Sequence, residues 1–231
     1  MTETTTAERR PRIAVIGGTG ALGSGLAGRW ARAGYSVVIG SRDSAKARAA
    51  AAAIAVPAGL RPVEGLAQAD AAASAEVIVL AVPFAAHGAT LEAIRPHCAG
   101  RIVVDASVPL MPPKVGTAQI PAEGCAAVQT GRRLGEMATV VSAFHNVSAA
   151  KLNDTRPIDC DVLVFGDVRA ARETVIRLVE AAGLRGLHGG PLANSIAAEA
   201  MTSVLITINR LYKVDGAGIR ITGPGNDGGL A

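Results

Sequence analysis

Aromatic residues and cysteines are scarce in this chain. Of its 231 residues, 3% are aromatic and three are cysteines. The cysteines are odd in number and far apart, which argues against a disulfide framework and against a metal-ligand cluster. We therefore expect no metal site and a reducing, cytoplasmic setting. The length allows one large or two small domains, with Ala, Val, Ile and Leu packing the core.

Charged residues are also few, at 18%, and the net charge is +4. No Lys/Arg-rich run alternates with aromatic residues, so we expect no nucleic-acid partner. No apolar run reaches the roughly 18 residues that span a membrane, so we expect no membrane insertion. Residues 1–11 are polar and lack the apolar centre of a secretory signal, and we interpret them as a disordered leader.

Short apolar runs alternate with helical stretches along most of the chain. This alternation predicts an α/β fold: a Rossmann-like, doubly wound, mainly parallel sheet with a small C-terminal extension that ends in a long apolar helix. The predicted strands cover residues 12–17, 36–40, 61–64, 76–82, 101–105, 139–143, 162–165 and 185–188. The predicted helices cover residues 21–33, 43–54, 65–73, 84–96, 131–137, 168–182 and 192–211. Residues 109–123 contain four prolines and are predicted to form a long loop.

A glycine-rich turn follows the first predicted strand. Residues 13–16 are apolar, and glycines at 17, 18, 20 and 23 separate them from an Ala/Leu-rich helix. This strand–turn–helix context indicates a dinucleotide site. Gly20 allows a tight turn and close approach to a pyrophosphate, and Gly23 allows the helix to pack closely on the strand. The free amides at the start of the helix are suited to binding phosphates.

The end of the second predicted strand indicates which dinucleotide binds. An NAD site carries Asp or Glu about 20 residues after the glycines, where it binds the ribose 2′-hydroxyl. Here Ser41 and Arg42 occupy that place, and Lys46 follows one helical turn later. A guanidinium and an ammonium favour a 2′-phosphate, so the sequence predicts NADP(H). The alternative is an exposed Ser-Arg-Asp helix start that binds nothing.

Six motifs, in this order, resemble those of the F420-dependent NADP oxidoreductases, which reduce the deazaflavin coenzyme F420 with NADPH. They are Gly17-Gly18-Thr19-Gly20-Ala21-Leu22-Gly23-Ser24-Gly25-Leu26-Ala27, Gly40-Ser41-Arg42 with Lys46, Val82-Pro83-Phe84, Ser142-Ala143-Phe144-His145, Gly190-Pro191-Leu192-Ala193-Asn194-Ser195 with Glu199, and Gly218-Ile219-Arg220. The resemblance covers residues 12–222. It implies reversible hydride transfer between NADP(H) and F420, in which the protein mainly orients two reactive rings.

The resemblance also implies a role for each site residue. The pyrophosphate is expected at Gly18, Thr19, Gly20, Ala21 and Leu22, and the 2′-phosphate at Ser41, Arg42 and Lys46. Val82 and Phe84 are expected to border the adenosine ribose and the nicotinamide, with Ser107 and Val108 beside the nicotinamide. His145, Asn146 and Val147 are expected to form the floor where the two rings meet, and Ala217 and Gly218 to close over the nicotinamide. Residues 12–143 are then the NADP-binding domain, residues 144–222 a small α/β portion with the deazaflavin pocket, and residues 223–231 a disordered tail.

Several side chains have two interpretations. His145 follows an apolar strand, so it either orients a ring by a hydrogen bond or is a histidine bonded to the backbone. Asn194 and Ser195 either cap the last helix or bind a ligand. Arg132 and Arg133 either form a surface pair or meet a polyanionic tail.

Two other functions remain open at this point. An NADPH-dependent reductase of a small carbonyl or imine would share the Rossmann-like start, but such enzymes generally add a larger helical domain with a Lys or Asp proton donor. A non-catalytic NADP-binding sensor would keep Arg42 and Lys46 and have no place for a second ring. The apolar final helix, with Ile196, Ala200 and Val204 on one face, predicts a homodimer.

Overall fold

An eight-stranded sheet organises residues 10–223, the part of the chain that this computed structural model describes. Its strands are β1 (Ile13–Ile16), β2 (Val37–Ser41), β3 (Glu64–Ala67), β4 (Val77–Leu80), β5 (Ile102–Asp105), β6 (Thr139–Ser142), β7 (Asp161–Phe165) and β8 (Arg185–Gly190). Their order across the sheet is β3-β2-β1-β4-β5-β6-β7-β8. Neighbouring strands are parallel except β6 and β7. The predicted Rossmann-like α/β class is confirmed.

Helices connect most of these strands. They are α1 (Ala21–Arg32), α2 (Ser44–Ala52), α3 (Gln68–Ala73), α4 (Phe84–Ile94), α5 (Ala126–Leu134), α6 (Ala149–Leu152), α7 (Arg169–Ala181) and α8 (Ser195–Tyr212). Short 3-10 helices cover Arg95–His97, Gly135–Met137 and Leu192–Asn194. No helix within residues 10–223 is long and apolar enough to cross a membrane.

Apolar layers cover both faces of the sheet. On β1, Ile13 and Val15 belong to the layer that contains Trp30 of α1, whereas Ala14 and Ile16 belong to the opposite layer. Because successive side chains point to opposite faces, a strand covered on both sides needs apolar residues at every position. This is why β1, β4 and β5 appear in the sequence as unbroken apolar runs.

The chain order reverses at β1, which lies between β2 and β4. Ile16 at the end of β1 is paired with Gly40 of β2 and with Leu80 of β4. In doubly wound sheets a ligand crevice opens beyond the carboxyl ends of the strands at such a reversal. The carboxyl ends of β2, β1, β4, β5 and β6 all lie along this edge, since these strands are parallel.

Some predicted boundaries were wrong. The third strand is β3, at Glu64–Ala67, where residues 61–64 were predicted, and α3 begins at Gln68 rather than at 65. This strand lies at the sheet edge and is only partly buried, so its apolar pattern is weak. The short helix predicted at 131–137 is α5 followed by a 3-10 turn, and α6 was not predicted.

The last helix begins at Ser195, after a 3-10 turn, rather than at 192. The face that was predicted to be apolar is open in the single chain, with Ile196 36% and Val204 45% exposed. Of the predicted leader and tail, residues 1–9 and 224–231 lie outside the described residues. The predicted division at residue 143 stays a prediction, and both portions contribute strands to one sheet.

Candidate functional site: a dinucleotide crevice at the carboxyl edge of the sheet

The glycine turn joins β1 to α1 and leaves backbone amides available at the helix start. Gly17 adopts φ +88°, and the Gly20 amide donates to the Gly17 carbonyl oxygen at 2.9 Å. The first helical hydrogen bond runs from the Ser24 amide to the Gly20 carbonyl oxygen. No side chain caps α1, and its first turn contains no acidic residue. These amides and the positive end of the helix dipole therefore favour an anion here.

Close packing explains two of the glycines in this turn. A Cβ on Gly23 would lie 2.7 Å from the Gly17 carbonyl oxygen, and a Cβ on Gly17 would lie 2.4 Å from the Ala81 carbonyl oxygen. Both neighbours are backbone atoms, which cannot rotate away. The turn is therefore packed directly against the strand end after β4.

Two cationic side chains stand beside the turn without a partner. Arg42 and Lys46 are exposed, and within residues 10–223 neither side chain makes an ion pair or hydrogen bond. The nearby Asp43 carboxylate instead caps α2, accepting from the Ala45 and Lys46 amides at 2.9 and 3.2 Å. The Ser41 hydroxyl accepts from the Asp43 amide at 3.3 Å, which fixes the turn. Both cations remain free for an external anion.

The next two strand ends continue the crevice. The Ala81 amide donates to the Ile16 carbonyl oxygen at 2.8 Å, and Val82 packs against Gly17 of the glycine turn. Phe84 begins α4 and stacks on His87, with ring centroids 5.9 Å apart. After β5, Ser107 is buried, and its hydroxyl is one of two buried side-chain polar atoms without a partner within the described residues. Val108, which follows it, is half-buried.

A residue with a strained backbone conformation shapes the turn that follows β6. Phe144 adopts φ +70°, a conformation that is costly for a bulky side chain. Its ring is buried edge-on against Trp30, with centroids 5.7 Å apart, and this packing holds the turn. His145 and Asn146 follow at once and are 6% and 7% exposed.

His145 is bonded on both its side chain and its backbone. Its Nε2 shares a hydrogen bond with the Ser142 hydroxyl at 3.0 Å, and its carbonyl oxygen accepts from the Thr202 hydroxyl at 3.0 Å. Burial lowers the pKa of His145 to about 4, against the opposing effect of Asp105. The imidazole is therefore neutral at neutral pH, which suits a hydrogen-bonding role better than proton donation.

A cavity of about 200 Å³ joins the β6 end to the C-terminal segment. It is lined by His145, Asn146, Val147, Ser148, Thr202, Leu205, Ile206, Asn209, Asp215, Gly216 and Ala217. The Asn209 carboxamide oxygen accepts from the Ala217 amide at 2.7 Å, which anchors this segment to α8. A Cβ on the neighbouring Gly218 would lie 2.6 Å from the Cys160 sulfur. The structure thus brings four of the predicted site residues into one cavity and places Gly218 next to it.

Sequence reasoning missed a buried polar network behind the crevice. The Asp105 carboxylate accepts from the Thr130 hydroxyl at 2.6 Å and lies 2.8 Å from His87 Nε2. On α8, Glu199 accepts from the Ala126 and Ala127 amides at the start of α5. The sequence did contain a signal for Asp105. It ends the apolar run of β5, and a carboxylate buried there needs hydrogen-bond partners. His87 is 1% exposed and gave no such signal in the sequence.

Other predicted side chains are occupied within the chain. Asn194 donates to the Gly189 carbonyl oxygen and Ser195 to the Leu192 carbonyl oxygen, so neither side chain caps α8. Arg132 donates to the Glu123 carbonyl oxygen, and Arg133 lies 3.9 Å from the Glu123 carboxylate. The three cysteines are buried and free, and no set of potential metal ligands occurs within the described residues.

The fold, the open glycine turn and the two cations beside it define a dinucleotide-binding protein of the Rossmann-like class. Residues 12–109 match the family model for coenzyme F420-dependent NADP oxidoreductases. The chain is 44% identical over 219 residues to the F420-dependent NADP reductase of Methanothermobacter thermautotrophicus, covering 91% of this chain and 94% of that protein. It is 41% identical to the enzyme of the same name from Methanothermobacter marburgensis, covering 91% and 98%.

A solved structure supports the same assignment. A protein of Arthrobacter sp. FB24 that was assigned as an F420-dependent NADP reductase superimposes with a TM-score of 0.75. It is 28% identical, and the match covers 92% of this chain and all of that one. The chain belongs to the F420-dependent NADP oxidoreductase family, and the resemblance inferred from the six motifs is confirmed.

Proposed function

We propose that this protein catalyses reversible hydride transfer between NADP(H) and the deazaflavin coenzyme F420. One observation carries the proposal. The uncapped start of α1 lies beside two cations that have no partner within residues 10–223, Arg42 after β2 and Lys46 on α2. The relatives that are 41 to 44% identical over nine-tenths of the chain are F420-dependent NADP reductases. The two substrates supply the hydride donor and acceptor, and the protein supplies binding, orientation and exclusion of water.

The adenosine end of NADP(H) is assigned to the first two strand ends. The turn at residues 18–22 receives the pyrophosphate. The Gly18 and Gly20 amides are bonded within the turn, and the remaining amides at the helix start, with the positive dipole end, are the donors available to it. Ser41, Arg42 and Lys46 receive the 2′-phosphate. Arg42 and Lys46 have no partner within residues 10–223, so a phosphate gains their full attraction without breaking an existing ion pair.

The nicotinamide end is assigned to the next strand ends. Val82 and Phe84 border the ribose and the ring, Ser107 and Val108 lie beside the ring, and Ala217 with Gly218 closes over it. The unpartnered hydroxyl of Ser107 supports this assignment, because a buried hydroxyl without a hydrogen bond costs about 1–3 kcal/mol that a polar ligand group recovers.

The two rings meet over His145, Asn146 and Val147. In this proposal His145 orients a ring through a hydrogen bond and transfers no proton, since its pKa of about 4 leaves it neutral. Reduction of F420 takes up one hydride and one proton. Solvent supplies the proton. Among the described residues that line the 200 Å³ cavity, no buried side chain carries a charge that would let it donate a proton at neutral pH.

The alternative of a carbonyl or imine reductase lacks a proton donor on α8. The buried side chains of α8 are Ser195, Ala198, Glu199, Ser203 and Leu205. Of these, Glu199 alone is ionisable, and both of its oxygens accept backbone amides of α5. Glu199 is 1% exposed and does not line the 200 Å³ cavity, so it does not meet a substrate there.

We also propose that the protein is a cytoplasmic homodimer that joins through α8. Met201 and Val204 are 39% and 45% exposed on this helix, and Leu211 is 73% exposed. Apolar side chains exposed together on one helix favour burial against a second copy. Three buried free thiols agree with a reducing compartment. Light scattering on Val204→Glu should give a monomer, whereas a dimer unchanged in this variant would contradict the α8 interface.

Bleaching of the visible absorbance band of oxidised F420 tests the function. Purified protein mixed with F420 should bleach this band with NADPH and far more slowly with NADH. The same assay with a small carbonyl or cyclic imine in place of F420 should consume little NADPH. NADPH consumption with a carbonyl or imine alone would favour the reductase alternative, and NADPH binding without any acceptor would favour the sensor.

A further inference from the structure

The Asp105 carboxylate joins three segments of the chain at the crevice edge. It is fully buried at the carboxyl end of β5. Its Oδ2 accepts from the Thr130 hydroxyl at 2.6 Å and lies 2.8 Å from His87 Nε2, and its Oδ1 accepts from the Ser107 amide at 2.9 Å. Burial opposes its charge, yet the hydrogen bonds from His87, Thr130 and Ser107 hold its pKa below the ordinary value.

Two of these three partners lead directly to the crevice. His87 stacks on Phe84, with an angle of 23° between the rings, so its contact with Asp105 fixes the first turn of α4. The Ser107 amide bond fixes the turn after β5. The third partner, Thr130, belongs to α5, and its hydroxyl also lies 3.0 Å from His87 Nε2. Asp105 therefore connects two segments that are assigned to the nicotinamide end and one that is not.

Ser107 has the one group in this network that is left without a partner. Its side chain is 2% exposed and its Oγ has no hydrogen-bond partner among residues 10–223, although its amide is held by Asp105. Native proteins pair nearly all buried hydroxyls. An unpaired hydroxyl at the crevice, on a backbone held in place by a buried carboxylate, is a group prepared for a ligand.

We infer that Asp105 is a positioning residue for the nicotinamide end of NADP(H). It acts through Ser107, whose hydroxyl it holds towards the polar atoms at that end, and through His87, which holds Phe84. This inference rests on the proposed function, since it assumes that NADP(H) occupies the crevice. The network has no direct contact with Arg42 or Lys46, so the 2′-phosphate end should not depend on it.

Two ligands separate positioning from general stability. NADPH reaches both ends of the crevice, whereas 2′,5′-ADP carries the 2′-phosphate end and no nicotinamide. Dissociation constants of both ligands can be measured by calorimetry for the wild type and the variants Asp105→Asn, Ser107→Ala and Thr130→Val. Thr130→Val is the matched control, because it removes a donor to Asp105 and a contact of His87, but leaves both crevice turns bonded to Asp105 itself.

We expect Asp105→Asn and Ser107→Ala each to weaken NADPH binding about tenfold, the scale of one hydrogen bond, with 2′,5′-ADP unchanged. Thr130→Val should lower the melting temperature and leave the ratio of the two dissociation constants unchanged. If Asp105 acts through Ser107, the double variant should bind NADPH no worse than the weaker-binding single variant. Ser107→Ala should fold as well as the wild type, because it removes an unpaired hydroxyl, so it provides a test even where Asp105→Asn is unstable.

Three results would overturn the inference. They are equal weakening of both ligands in Asp105→Asn, unchanged NADPH binding in Ser107→Ala, and additive losses in the double variant. A wild type that binds neither ligand would instead overturn the proposed function, and the inference with it. The measurement on the wild type therefore distinguishes the two failures.

Discussion

The carboxylate of Glu199 accepts the backbone amide of Ala126 at 2.7 Å, so a side chain of α8 caps the start of α5. The preceding residue, Cys125, provides no cap of its own. Glu199 is 1% exposed, and burial raises its pKa to about 7, against the two amide hydrogen bonds, which lower it. Helix α5 is therefore tied to α8 by a group that titrates near neutrality.

This titration predicts how stability depends on pH. The unfolded chain ionises Glu199 near the ordinary pKa of 4.5, whereas the folded chain keeps its proton up to about pH 7. The contribution of Glu199 to the free energy of unfolding should therefore fall by up to about 3 kcal/mol as pH rises from 4.5 through 7. Glu199→Gln should lose this dependence in denaturant titrations. The exposed Glu180→Gln is the control, and a pH profile that is identical in Glu199→Gln and the wild type would refute the assignment.

His145 should have the opposite effect over an overlapping range. The unfolded chain protonates this histidine below its ordinary pKa of 6.5, whereas the folded chain resists protonation down to about 4. The contribution of His145 to stability is therefore lost as pH falls from 6.5 to 4. His145→Gln should gain stability relative to the wild type as pH falls between these values, when unfolding is followed across them. His97→Gln, which changes a half-buried histidine outside the site, should behave as the wild type.

Because the effects of Glu199 and His145 oppose each other between about pH 4.5 and 6.5, the wild type should show a flatter profile there than either single variant. A wild-type profile steeper than both would contradict these two assignments together.

Two glycines of α1 should respond to alanine in opposite ways. A Cβ on Gly23 would meet the Gly17 carbonyl oxygen at 2.7 Å, so Gly23→Ala should displace the turn, abolish NADPH binding and lower stability. A Cβ on Gly28 would meet the flexible end of Arg32 at 3.2 Å, so Gly28→Ala should gain up to about 1 kcal/mol of helix propensity. Thermal melts and NADPH titration of both variants test this, and normal binding by Gly23→Ala would contradict it.

Local patterns sufficed for the central strands of the fold. The runs at β1, β4 and β5 are continuous in the sequence because helices cover both faces of the sheet. The same reasoning failed for α5. Its start depends on a hydrogen bond from the Ala126 amide to Glu199, which lies 73 residues further along the chain. It also failed for β3, an edge strand whose Gly65 packs on the backbone of α2. Contacts between distant residues decide such boundaries, and a local pattern does not contain them.

The candidate site divides in the same way. Residues on the strand ends, such as Gly20, Arg42 and Ser107, could be located from sequence because each follows a recognisable strand. The network around Asp105 could not, because His87, Asp105 and Thr130 come from three separate elements. The positive φ of Phe144 is likewise enforced by packing against Trp30 and has no signature in the local sequence.

Arg42→Ala tests the assignment of the 2′-phosphate. The lost contact is remote from the reacting rings, so KM for NADPH should rise tenfold or more, the scale of a charged hydrogen bond, with kcat nearly unchanged. Rates with NADH should not change. The control is Arg48→Ala. Arg48 is on the same helix as Lys46, but the two side chains are separated by roughly 200° around the helix axis. Unchanged KM with reduced kcat in Arg42→Ala would contradict the assignment.

Isotope labelling tests whether the hydride passes directly from one substrate to the other. NADPH deuterated at nicotinamide C4, in each of its two stereochemical forms, is mixed with the protein and oxidised F420 in ordinary water. Mass spectrometry of the reduced deazaflavin should find the deuterium at C5 with one form and none with the other. Reduced F420 without deuterium from either form, or no reduction while NADPH is bound, would contradict the account.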